Sequence, residues 1–593
     1  MKVLFFSPFA NVWNHSLATA LVAESFAQHS VDIVAVRCGR MLNSFCVAMS
    51  AAGVSPDASQ RTKDQVCRAC IKRRDLITNE MDIPTLIMDE SVHNDDRAIV
   101  DRITREVRPD TWTTLELEGI PLGRYAAYEM WINNKLMSTQ LAPELWSEYL
   151  GQLRNTLLTF LTAKRILAAE KPDAVVVYND HYSVNHAFCA AAELAGIPSY
   201  TIHGGSHILR RSETLQMFTS GFLMADLFRS AGWARYQQNP IGQREIELVG
   251  SHFSGLLEAS NAFVYSSAFE GTRPAELRSS LGIRPDVPVL LATMSSEDEL
   301  MGMRLIDAFP ESNAKVSLFP SQLEWVIYLL DYARSHSDIH LVLRLHPRMF
   351  PNKRENVLSP MVAKVMALRE TAPANVSFNM PADGVGLYDL MQIVDVLLNF
   401  HSTVGAELAT FGIPVVIPSN ADFYTYPDEL NRIGYTQAEY LQLIDAALVD
   451  GWSLENSRRA FRWFAFLFGR ASVDLPDAVS APTIAIRPRK AGPALWLWNR
   501  LAFVFLQYGP LVRERRALKN RTVAASSQAI LLDVITSRLD STSESTLWKP
   551  IDSTLENETA QLSAYLLQLC STLWANVEEP ESLAGRIRAH LDA

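Results

Sequence analysis

Residues 339–348 read IHLVLRLHPR and residues 390–419 read LMQIVDVLLNFHSTVGAELATFGIPVVIPS, and these two stretches decide the fold. The apolar runs end on polar groups that can hold an anion, and a helical segment and the run NVSF lie between them. A strand, a small loop, a helix and another strand form the repeating unit of a parallel α/β sheet, whose ligands lie beyond the carboxyl ends of the strands. The pattern predicts a Rossmann-like domain that binds phosphate groups.

The side chains at these strand ends suit the phosphates of a nucleotide sugar. Arginine offers forked donors for phosphate oxygens, and a histidine can donate from one ring nitrogen while the other is held. Amides at the start of the helix near Gly405 are expected to add an anion pocket. Taken alone, the HPR tripeptide is more typical of a strand that ends in a proline turn, but three such strand ends together favour a site. The expected nucleotide-sugar ligands are Ser295, Ser296, Arg344, His346, Arg348, His401, Ser402, Thr403, Gly405 and Glu407.

The composition bounds the class of protein. The chain has 593 residues, of which 48% are hydrophobic and 20% charged, and its formal net charge is −11. At about 100–200 residues per domain, this length predicts about three domains. The negative charge argues against a general nucleic-acid binder, which needs clustered Lys and Arg. The amino terminus lacks a secretory h-region and no apolar run reaches about 18 residues, so a cytoplasmic location is expected.

Polar side chains also follow two predicted strands in the first half of the chain. The run AVVVY at 174–178 is followed by Asn179, Asp180 and His181, and the strand at 199–202 ends on His203. An opening strand–helix–strand unit precedes them without a G-x-G-x-x-G motif, so a dinucleotide cofactor is not indicated. Because the carboxyl ends of parallel strands meet at one edge of a sheet, these groups predict the floor of a second site.

Four of the six cysteines fall in one short region, at Cys38, Cys46, Cys67 and Cys70. The final C-x2-C pair has a spacing at which two thiolates reach one tetrahedral ion or one iron–sulfur cluster, although the first two cysteines lie outside a standard knuckle. Free cysteines are also commonly buried as small core residues. The sequence therefore leaves two interpretations open: a four-cysteine site for zinc or an iron–sulfur cluster, and four unrelated core residues. A redox dithiol is less favoured because no thioredoxin-like context surrounds it.

Composition shifts divide the chain into three predicted regions. Residues 1–271 are expected to form one α/β domain, residues 286–480 a second, and residues 490–593 a helical region. Another strand is expected at residues 261–267. Residues 494–508 are apolar and rich in aromatic side chains, and five basic residues follow between 513 and 521. This arrangement suits a helix in the interface of an anionic membrane and equally a helix buried against the folded body.

An HP dipeptide at His346 closes one predicted strand, and an STVG-x-E loop at 402–407 precedes the strand GIPVV. In these two motifs the chain resembles glycosyltransferases of the GT-B fold. The likeness is to bacterial capsule and lipopolysaccharide enzymes of the Kdo-transferring, polysialyltransferase-like and glycerophosphotransferase-like groups. It covers about residues 2–470 and is firmer in the second half. The D/E-D/E-G motif of the polysialyltransferase type is absent, and the cysteine cluster is not part of the family pattern.

The resemblance implies an α/β fold of two Rossmann-like domains that face a central cleft. It implies that His346, Ser402 and Thr403 contact the nucleotide and phosphates of a donor, CMP- or UDP-linked. It further implies transfer of a sugar to a glycan or lipid-linked glycan during synthesis of a surface polysaccharide, at the inner face of the cell membrane if the apolar segment binds there.

Without the family's base motif, the catalytic base is predicted from position. Asp180 is the first choice, His15 the second and His203 the third, because all three follow first-half strands that would face the cleft. No DxD pair stands out as a metal–diphosphate clamp, so no catalytic metal is expected and side chains and helix termini would stabilise the leaving phosphate. Two alternatives stay open: a non-catalytic assembly protein that keeps the nucleotide pocket, and a sugar-nucleotide epimerase.

Overall fold

The computed structural model describes residues 1–219, 231–259, 264–309, 316–352, 355–475 and 552–592, with shorter pieces at 511–512, 514–516, 518–520, 531–533 and 535–536. Its strands form two open sheets. The first sheet contains β1 Lys2–Phe6, β2 Asp32–Arg37, β3 Thr85–Ile87, β4 Ala174–Tyr178, β5 Ser199–Gly204, β6 Thr214–Thr219 and β13 Val473–Asp474. The second sheet contains β7 Val289–Thr293, β8 His340–Arg344, β9 Val376–Asn379, β10 Val396–Asn399, β11 Val415–Pro418 and β12 Arg432–Gly434.

Helices connect the strands and cover both sheets. Those before β7 are α1 Trp13–Gln28, α2 Val47–Ala51, α3 Gln60–Met81, α4 Asn94–Glu106, α5 Leu122–Tyr125, α6 Tyr128–Asn134, α7 Trp146–Glu170, α8 Ser183–Leu194, α9 Ala231–Tyr236, α10 Gln243–Leu257 and α11 Pro274–Ser280. Those after β7 are α12 Glu297–Leu305, α13 Gln322–Ser335, α14 Pro360–Arg369, α15 Leu387–Leu390, α16 Val404–Thr410, α17 Gln437–Asp450, α18 Leu454–Ala465, α19 Leu555–Ser571 and α20 Leu583–Leu591.

The order of the strands defines two Rossmann-like domains. The first sheet runs β3-β2-β1-β4-β5-β6-β13 and the second runs β9-β8-β7-β10-β11-β12. All neighbours are parallel except the β5–β6 and β6–β13 pairs, which are antiparallel. The order reverses between β1 and β4 in the first domain and between β7 and β10 in the second, and ligands bind at such switch points. The predicted α/β fold class is thus confirmed.

The strands have the sequence that a doubly covered parallel sheet requires. Strands β7, β8 and β10 are buried at every position, and β4 is buried at all but its last residue. Helices on both faces exclude water, so Val, Ile and Leu occur in near-continuous runs instead of alternating with polar residues. This is why the sequence predicts these strands with nearly correct limits.

Side chains of α5 and α6 bind the first domain to the second. Arg124 on α5 forms an ion pair with Asp307 at 2.6 Å, just after α12. Lys135, which ends α6 and is fully buried, donates to the carbonyl oxygens of Phe350 at 2.9 Å and Val357 at 2.6 Å. The two carbonyl groups offset the cost of burying the ammonium of Lys135. The carboxyl ends of the two sheets are therefore held in one arrangement.

After the second domain, the chain returns to the edge of the first sheet at residues 473–474. Strand β13 pairs with β6, and the Gln216 side chain donates to the Leu467 carbonyl at 3.0 Å and to Ser472 Oγ at 3.1 Å. Residues 473–474, within the region predicted as the second domain, thus extend the sheet of the first. The other predicted domain limits stay predictions.

The carboxyl-terminal helices α19 and α20 pack on the second domain. Glu558 of α19 is fully buried, and it pairs with Arg462 of α18 and accepts from the Ile241 amide at 3.1 Å. Arg586 of α20 pairs with Asp395 ahead of β10. The segment 494–508 and the predicted membrane contact lie outside the described residues. None of the described helices combines the length and apolar character needed to cross a membrane.

The strand predicted at 261–267 is wrong in its described part, because residues 264–267 form no strand. The segment that follows is held by a side chain instead of a sheet. The carboxylate of Asp389 on α15 accepts from the amides of Glu270, Gly271 and Thr272 at 3.0–3.2 Å. These bonds satisfy backbone donors that a strand would have given to a neighbour.

Candidate functional site

A cavity of about 140 Å³ lies at the switch point of the second sheet. Its lining includes Thr293 at the end of β7, Arg344 at the end of β8 and His346 just after it, and Ser402 and Thr403 after β10. Five residues from three strand ends therefore meet at the place where a doubly wound sheet binds its ligand. We call this cavity the donor pocket.

Arg344 is the cation of the donor pocket. Its side chain is buried, with 6% exposed, and its Nη1 donates to Asn379 Oδ1 and to the Val385 carbonyl at 3.2 Å. Burial lowers the pKa of Arg344 to about 10, opposed only by the hydroxyl of Tyr388; no carboxylate contributes in the described chain. A buried cation without a carboxylate partner attracts an anion.

His346 lies half-buried beside Arg344. Its Nδ1 accepts from the Arg348 amide at 3.2 Å, which fixes the ring and leaves Nε2 as the nitrogen that carries the proton. Burial, and then the charges of Arg348 and Arg344, lower the pKa of His346 to about 3. The ring is therefore neutral at pH 7 and can donate one hydrogen bond.

The loop after β10 is held by Asn399. Its Oδ1 accepts from the Ser402 amide at 3.2 Å, and its Nδ2 donates to the Ser402 carbonyl at 2.8 Å and to Tyr426 Oη at 2.9 Å. Gly405 lies against these same groups, and a Cβ on it would lie 2.6 Å from Asn399 Nδ2. The loop geometry therefore depends on a glycine at this position. Helix α16 has only seven residues, so its dipole is smaller than the sequence suggests.

Glu407 links two polar side chains at the pocket wall. It accepts from Thr403 Oγ1 at 2.8 Å and from Tyr388 Oη at 3.2 Å. Burial raises the pKa of Glu407, and the two hydroxyl donors oppose that rise. Its carboxylate orients the hydroxyl of Thr403, which is exposed, toward a fixed position. The predicted residues Thr403 and Glu407 thus lie together.

Sequence reasoning missed two aromatic residues of the donor pocket, Tyr265 and Tyr388. The Tyr265 ring lies 6.0 Å from that of His346, and its segment is anchored by the amide bonds to Asp389. Tyr388 is buried on α15 and touches Glu407. Neither residue follows a strand, so the strand-end pattern could not find them.

Gly405 and four other predicted ligands lie outside the lining of the donor pocket. Arg348 is 1% exposed and its guanidinium is occupied by Asp298, Ser296 Oγ at 3.0 Å and the Ile132 carbonyl at 2.9 Å. Burial lowers the pKa of Arg348, but Glu299 and Asp298 raise it more, and the net change is a rise. The prediction that Arg348 and Ser296 bind phosphate is therefore corrected, because their polar groups satisfy one another and join the domains.

Ser295 and His401 are also predicted ligands that lie outside the lining of the donor pocket. The Ser295 amide donates to Gln322 Oε1 at 2.6 Å, and its carbonyl accepts from the same amide side chain at 3.1 Å. His401 is buried beside Phe400, with ring centroids 5.6 Å apart. Burial, and then the charge of Arg304, lower the pKa of His401 to about 4. Both residues therefore lie next to lining residues of the donor pocket in the chain but do not line it themselves.

The three predicted catalytic groups lie at the switch point of the first sheet. The His15 ring stacks on Tyr178 with centroids 4.0 Å apart, and the His203 ring lies 5.7 Å from the same tyrosine. Burial lowers the pKa of His15 to about 3 and that of His203 to about 4, and neighbouring positive groups lower both further. Asp180 is fully buried, with one carboxylate oxygen 3.9 Å from His181 Nε2. We call these groups and their neighbours the acceptor-side cluster.

The acceptor-side cluster contains a carboxylate that the sequence did not single out. Glu129 on α6 accepts from the amide and hydroxyl of Ser183 at 3.0 and 3.1 Å, and its Oε2 is buried with no hydrogen-bond partner in the described chain. Burial raises the pKa of Glu129 to about 7, and the Ser183 donors oppose the rise. The ring of the adjacent Tyr128 lies 5.8 Å from that of His181, so helix α6 packs beside these groups.

All four clustered cysteines are free of disulfide bonds and line one small cavity of about 20 Å³ on the first domain. Among the residues that the structure describes, no three His, Cys, Asp or Glu side chains are grouped closely enough to hold a single metal ion. This finding supports neither the zinc site nor the iron–sulfur cluster among the interpretations that the sequence leaves open. The other interpretation agrees with the packing, because Cys67 belongs to the hydrophobic core of the first domain and Cys38 and Cys46 pack against it.

No family model matches the chain, and no curated protein matches it. Among solved structures, it is similar to UDP-GlcNAc 2-epimerase from Neisseria meningitidis bound to UDP-GlcNAc, at 12% identity over 78% of this chain and 94% of that one, with a TM-score of 0.22. It is also similar to UDP-GlcNAc 2-epimerase from Methanocaldococcus jannaschii in complex with UDP-GlcNAc and UDP, at 11% identity over 78% of this chain and 98% of that one, with a TM-score of 0.27. For the calicheamicin glycosyltransferase CalG4, the identity is 14% over 78% of this chain and 94% of that one, and the TM-score is 0.24. At such scores these likenesses assign neither a substrate nor a catalytic residue.

Proposed function

We propose that the chain is a glycosyltransferase that moves a sugar from a CMP- or UDP-linked donor to a glycan or lipid-linked glycan of a surface polysaccharide. One observation carries the proposal: Arg344 is a buried cation that lines a cavity at the switch point of a Rossmann-like sheet, with no carboxylate acting on it in the described chain. The ligand that fits such a cation is an anion, and diphosphates bind at this place in doubly wound folds.

The donor's phosphates are assigned to Arg344, His346 and the loop at 402–403. Arg344 supplies charge and His346 supplies one neutral donor, so the developing negative charge on the leaving phosphate is stabilised by groups already in place. The tyrosine rings of Tyr265 and Tyr388 provide flat apolar surface for a base or a sugar. Each of these residues lines the same cavity.

The acceptor hydroxyl must lose a proton, and the acceptor-side cluster holds the groups that can take it. Asp180, His15 and His203 keep the order predicted from the sequence. Glu129 joins them because a general base works best when its pKa lies near the working pH, and its pKa is about 7. The low pKa values of the two histidines make them weaker bases.

The donor site is tested by nucleotide binding to the full chain. UMP, UDP, CMP and CDP are titrated while the thermal midpoint is followed, because a ligand at about 100 times its Kd adds about 2.7 kcal/mol to the free energy of unfolding. Arg344→Gln should weaken the binding of the preferred nucleotide by about 10- to 100-fold, since a hydrogen bond to a charged group is worth about 1.5–3 kcal/mol. The matched control is Arg334→Gln, an arginine of the same domain whose side chain is 52% exposed. Equal affinity in both variants would refute the assignment.

The reaction is tested with a panel of CMP-, UDP-, GDP- and dTDP-sugars, with and without glycan acceptors. Transfer or slow hydrolysis of one donor supports the proposal, whereas interconversion of the donor sugar without any acceptor identifies an epimerase. Binding without turnover of any donor identifies a non-catalytic assembly protein. Glu129→Gln and Asp180→Asn then separate the candidate bases: loss of kcat with an unchanged donor Kd marks the base.

A further inference from the structure

Helix α3 carries an excess of positive charge on an acidic chain. The whole chain has 54 Lys and Arg against 65 Asp and Glu, whereas α3 has six basic residues against three acidic ones. A surface of one sign raises the local concentration of partners of the opposite sign. The reversal of charge on this helix therefore indicates an anionic partner. The basic residues of α3 are Arg61, Lys63, Arg68, Lys72, Arg73 and Arg74.

Three of these cations are exposed along one side of the helix. Arg61, Arg68 and Lys72 are exposed, whereas Val66 and Ile77 are buried. Steps of seven and four residues return a side chain to the same side of an α-helix. At 1.5 Å of rise per residue, the exposed row spans about 16 Å of the helix axis. The three charges therefore point away from the first domain in one direction.

A second basic segment, residues 514–516 and 518–520, lies against α3. Its Glu514 accepts from Arg73 Nη2 at 3.0 Å, and its Arg515 donates from Nε to Glu80 Oε1 at 2.8 Å. These two ion pairs hold the segment at the flank of α3, between its exposed row and its buried side. Together, α3 and the segment have nine basic residues against four acidic ones. We call their six exposed cations the basic face: Arg61, Arg68, Lys72, Arg515, Arg516 and Lys519.

The surroundings of the basic face favour a lipid surface over a nucleic acid. Val512, just before the second basic segment, is an apolar side chain that is 67% exposed. In the sequence it follows the apolar, aromatic-rich run at 494–508. Cations beside exposed apolar groups match the negative headgroups and the acyl boundary of an anionic leaflet. The net charge of −11 on the chain opposes binding to a phosphate backbone.

We propose that the basic face docks the protein on a membrane surface that contains anionic phospholipids. Each Lys or Arg near such a surface strengthens binding about fivefold, the equivalent of about 1 kcal/mol. Salt screens this attraction, because the charges stay exposed to solvent. The partner is thus defined by the charge of its headgroups, and one particular lipid is not required.

The loop after β1 connects the basic face to the acceptor-side cluster. The Asn11 amide in this loop donates to Cys70 Sγ on α3 at 3.4 Å, and Asn11 Oδ1 accepts from Arg73 Nη1 at 2.6 Å. The same loop leads into α1, which carries His15 of the acceptor-side cluster. The docking surface and that cluster therefore share one short loop of the first domain.

Docking is tested by flotation of the full chain with vesicles of phosphatidylcholine, with and without phosphatidylglycerol. We expect at least about tenfold more protein to float with the anionic vesicles, and high salt to release it. Flotation with neither kind of vesicle, or equal flotation with both, would overturn the proposal. Tighter binding of tRNA or duplex DNA than of the anionic vesicles would also overturn it, by identifying a nucleic-acid surface.

The contribution of α3 is tested by the triple variant Arg61→Gln, Arg68→Gln and Lys72→Gln. At about fivefold per cation, binding to anionic vesicles should weaken about 100-fold. The matched control is Arg97→Gln, Arg102→Gln and Arg105→Gln. It removes three exposed cations from α4 of the same domain, where acidic residues outnumber basic ones.

The control variant should bind anionic vesicles like the unsubstituted protein. All six side chains are exposed, so urea unfolding should show that both variants keep the stability of the parent chain. Binding retained by the α3 variant, or an equal loss in both variants, would refute the docking surface. These measurements need neither nucleotide nor glycan, so their outcome is separate from that of the proposed transferase activity.

Discussion

Replacement of Gly405 by alanine tests the geometry of the loop after β10. The added Cβ would lie 2.6 Å from Asn399 Nδ2 and closer still to Tyr426 Oη, whereas ordinary contacts begin at 3.4 Å. Asn399 must therefore move by about 0.8 Å, and Tyr426, which is 1% exposed, by more. Overpacking of this kind costs about 1–3 kcal/mol. Strain on the Asn399–Tyr426 hydrogen bond adds about 1 kcal/mol to this destabilisation. The better helix propensity of alanine offsets about 1 kcal/mol of it.

The expected net loss is thus about 1–3 kcal/mol in the free energy of unfolding. Because Asn399 holds both the amide and the carbonyl of Ser402, its displacement should also weaken nucleotide binding at least about tenfold, as small misplacements of binding groups do. Urea unfolding followed by tryptophan fluorescence measures the first effect, and nucleotide titration measures the second.

Gly151→Ala is the matched control for this substitution. Gly151 is also helical, on α7, and its added Cβ would meet only Ser44 Cβ at an ordinary 3.7 Å. This variant should be stabilised by up to about 1 kcal/mol and should bind nucleotide normally. If Gly405→Ala resembles Gly151→Ala in both measurements, the loop does not depend on the Asn399–Tyr426 contact and the description of the donor pocket is wrong.

Three further predictions concern stability, each measured by urea unfolding. Glu558→Ala should cost about 3–5 kcal/mol, because it leaves Arg462 buried without its carboxylate, and a loss below about 1 kcal/mol would contradict the buried pair. Asp298→Ala should cost less, about 1–3 kcal/mol, because Glu299 still pairs with Arg348 at 3.2 Å, whereas Asp331→Ala, which removes the exposed partner of Arg334, should cost less than about 1 kcal/mol. The folded-state pKa of His401, about 4, lies below its ordinary 6.5, so its contribution to stability is full above pH 6.5 and is lost as the pH falls toward 4. His401→Asn should therefore reduce the destabilisation between pH 7 and pH 5 by about 2 kcal/mol; an unchanged pH dependence would show that the pKa of His401 is the same in the folded and unfolded states.

Local patterns predict the parallel strands and the residues at their ends. A strand buried on both faces must be apolar throughout, and the chain leaves a parallel sheet at its carboxyl edge, so the polar groups that follow the strands have little choice of position. This reasoning predicted that His346, Ser402 and Thr403 would lie together, and the donor pocket contains all three. The strand predicted at 261–267 is wrong in its described part, where residues 264–267 pair with neither sheet although the run is apolar and aromatic enough to suit one.

The sequence by itself determined the fold class and the polar strand ends that line the donor pocket, because these depend on periodicity and on the direction of the chain. Only the tertiary structure decided what each charged group does. Arg344 and Arg348 lie four residues apart and look alike in the sequence, yet carboxylates pair with only the second, and the nearest of these partners come from α12, much earlier in the chain. The role of a buried charge depends on its partners in space, and no local pattern of the sequence specifies them.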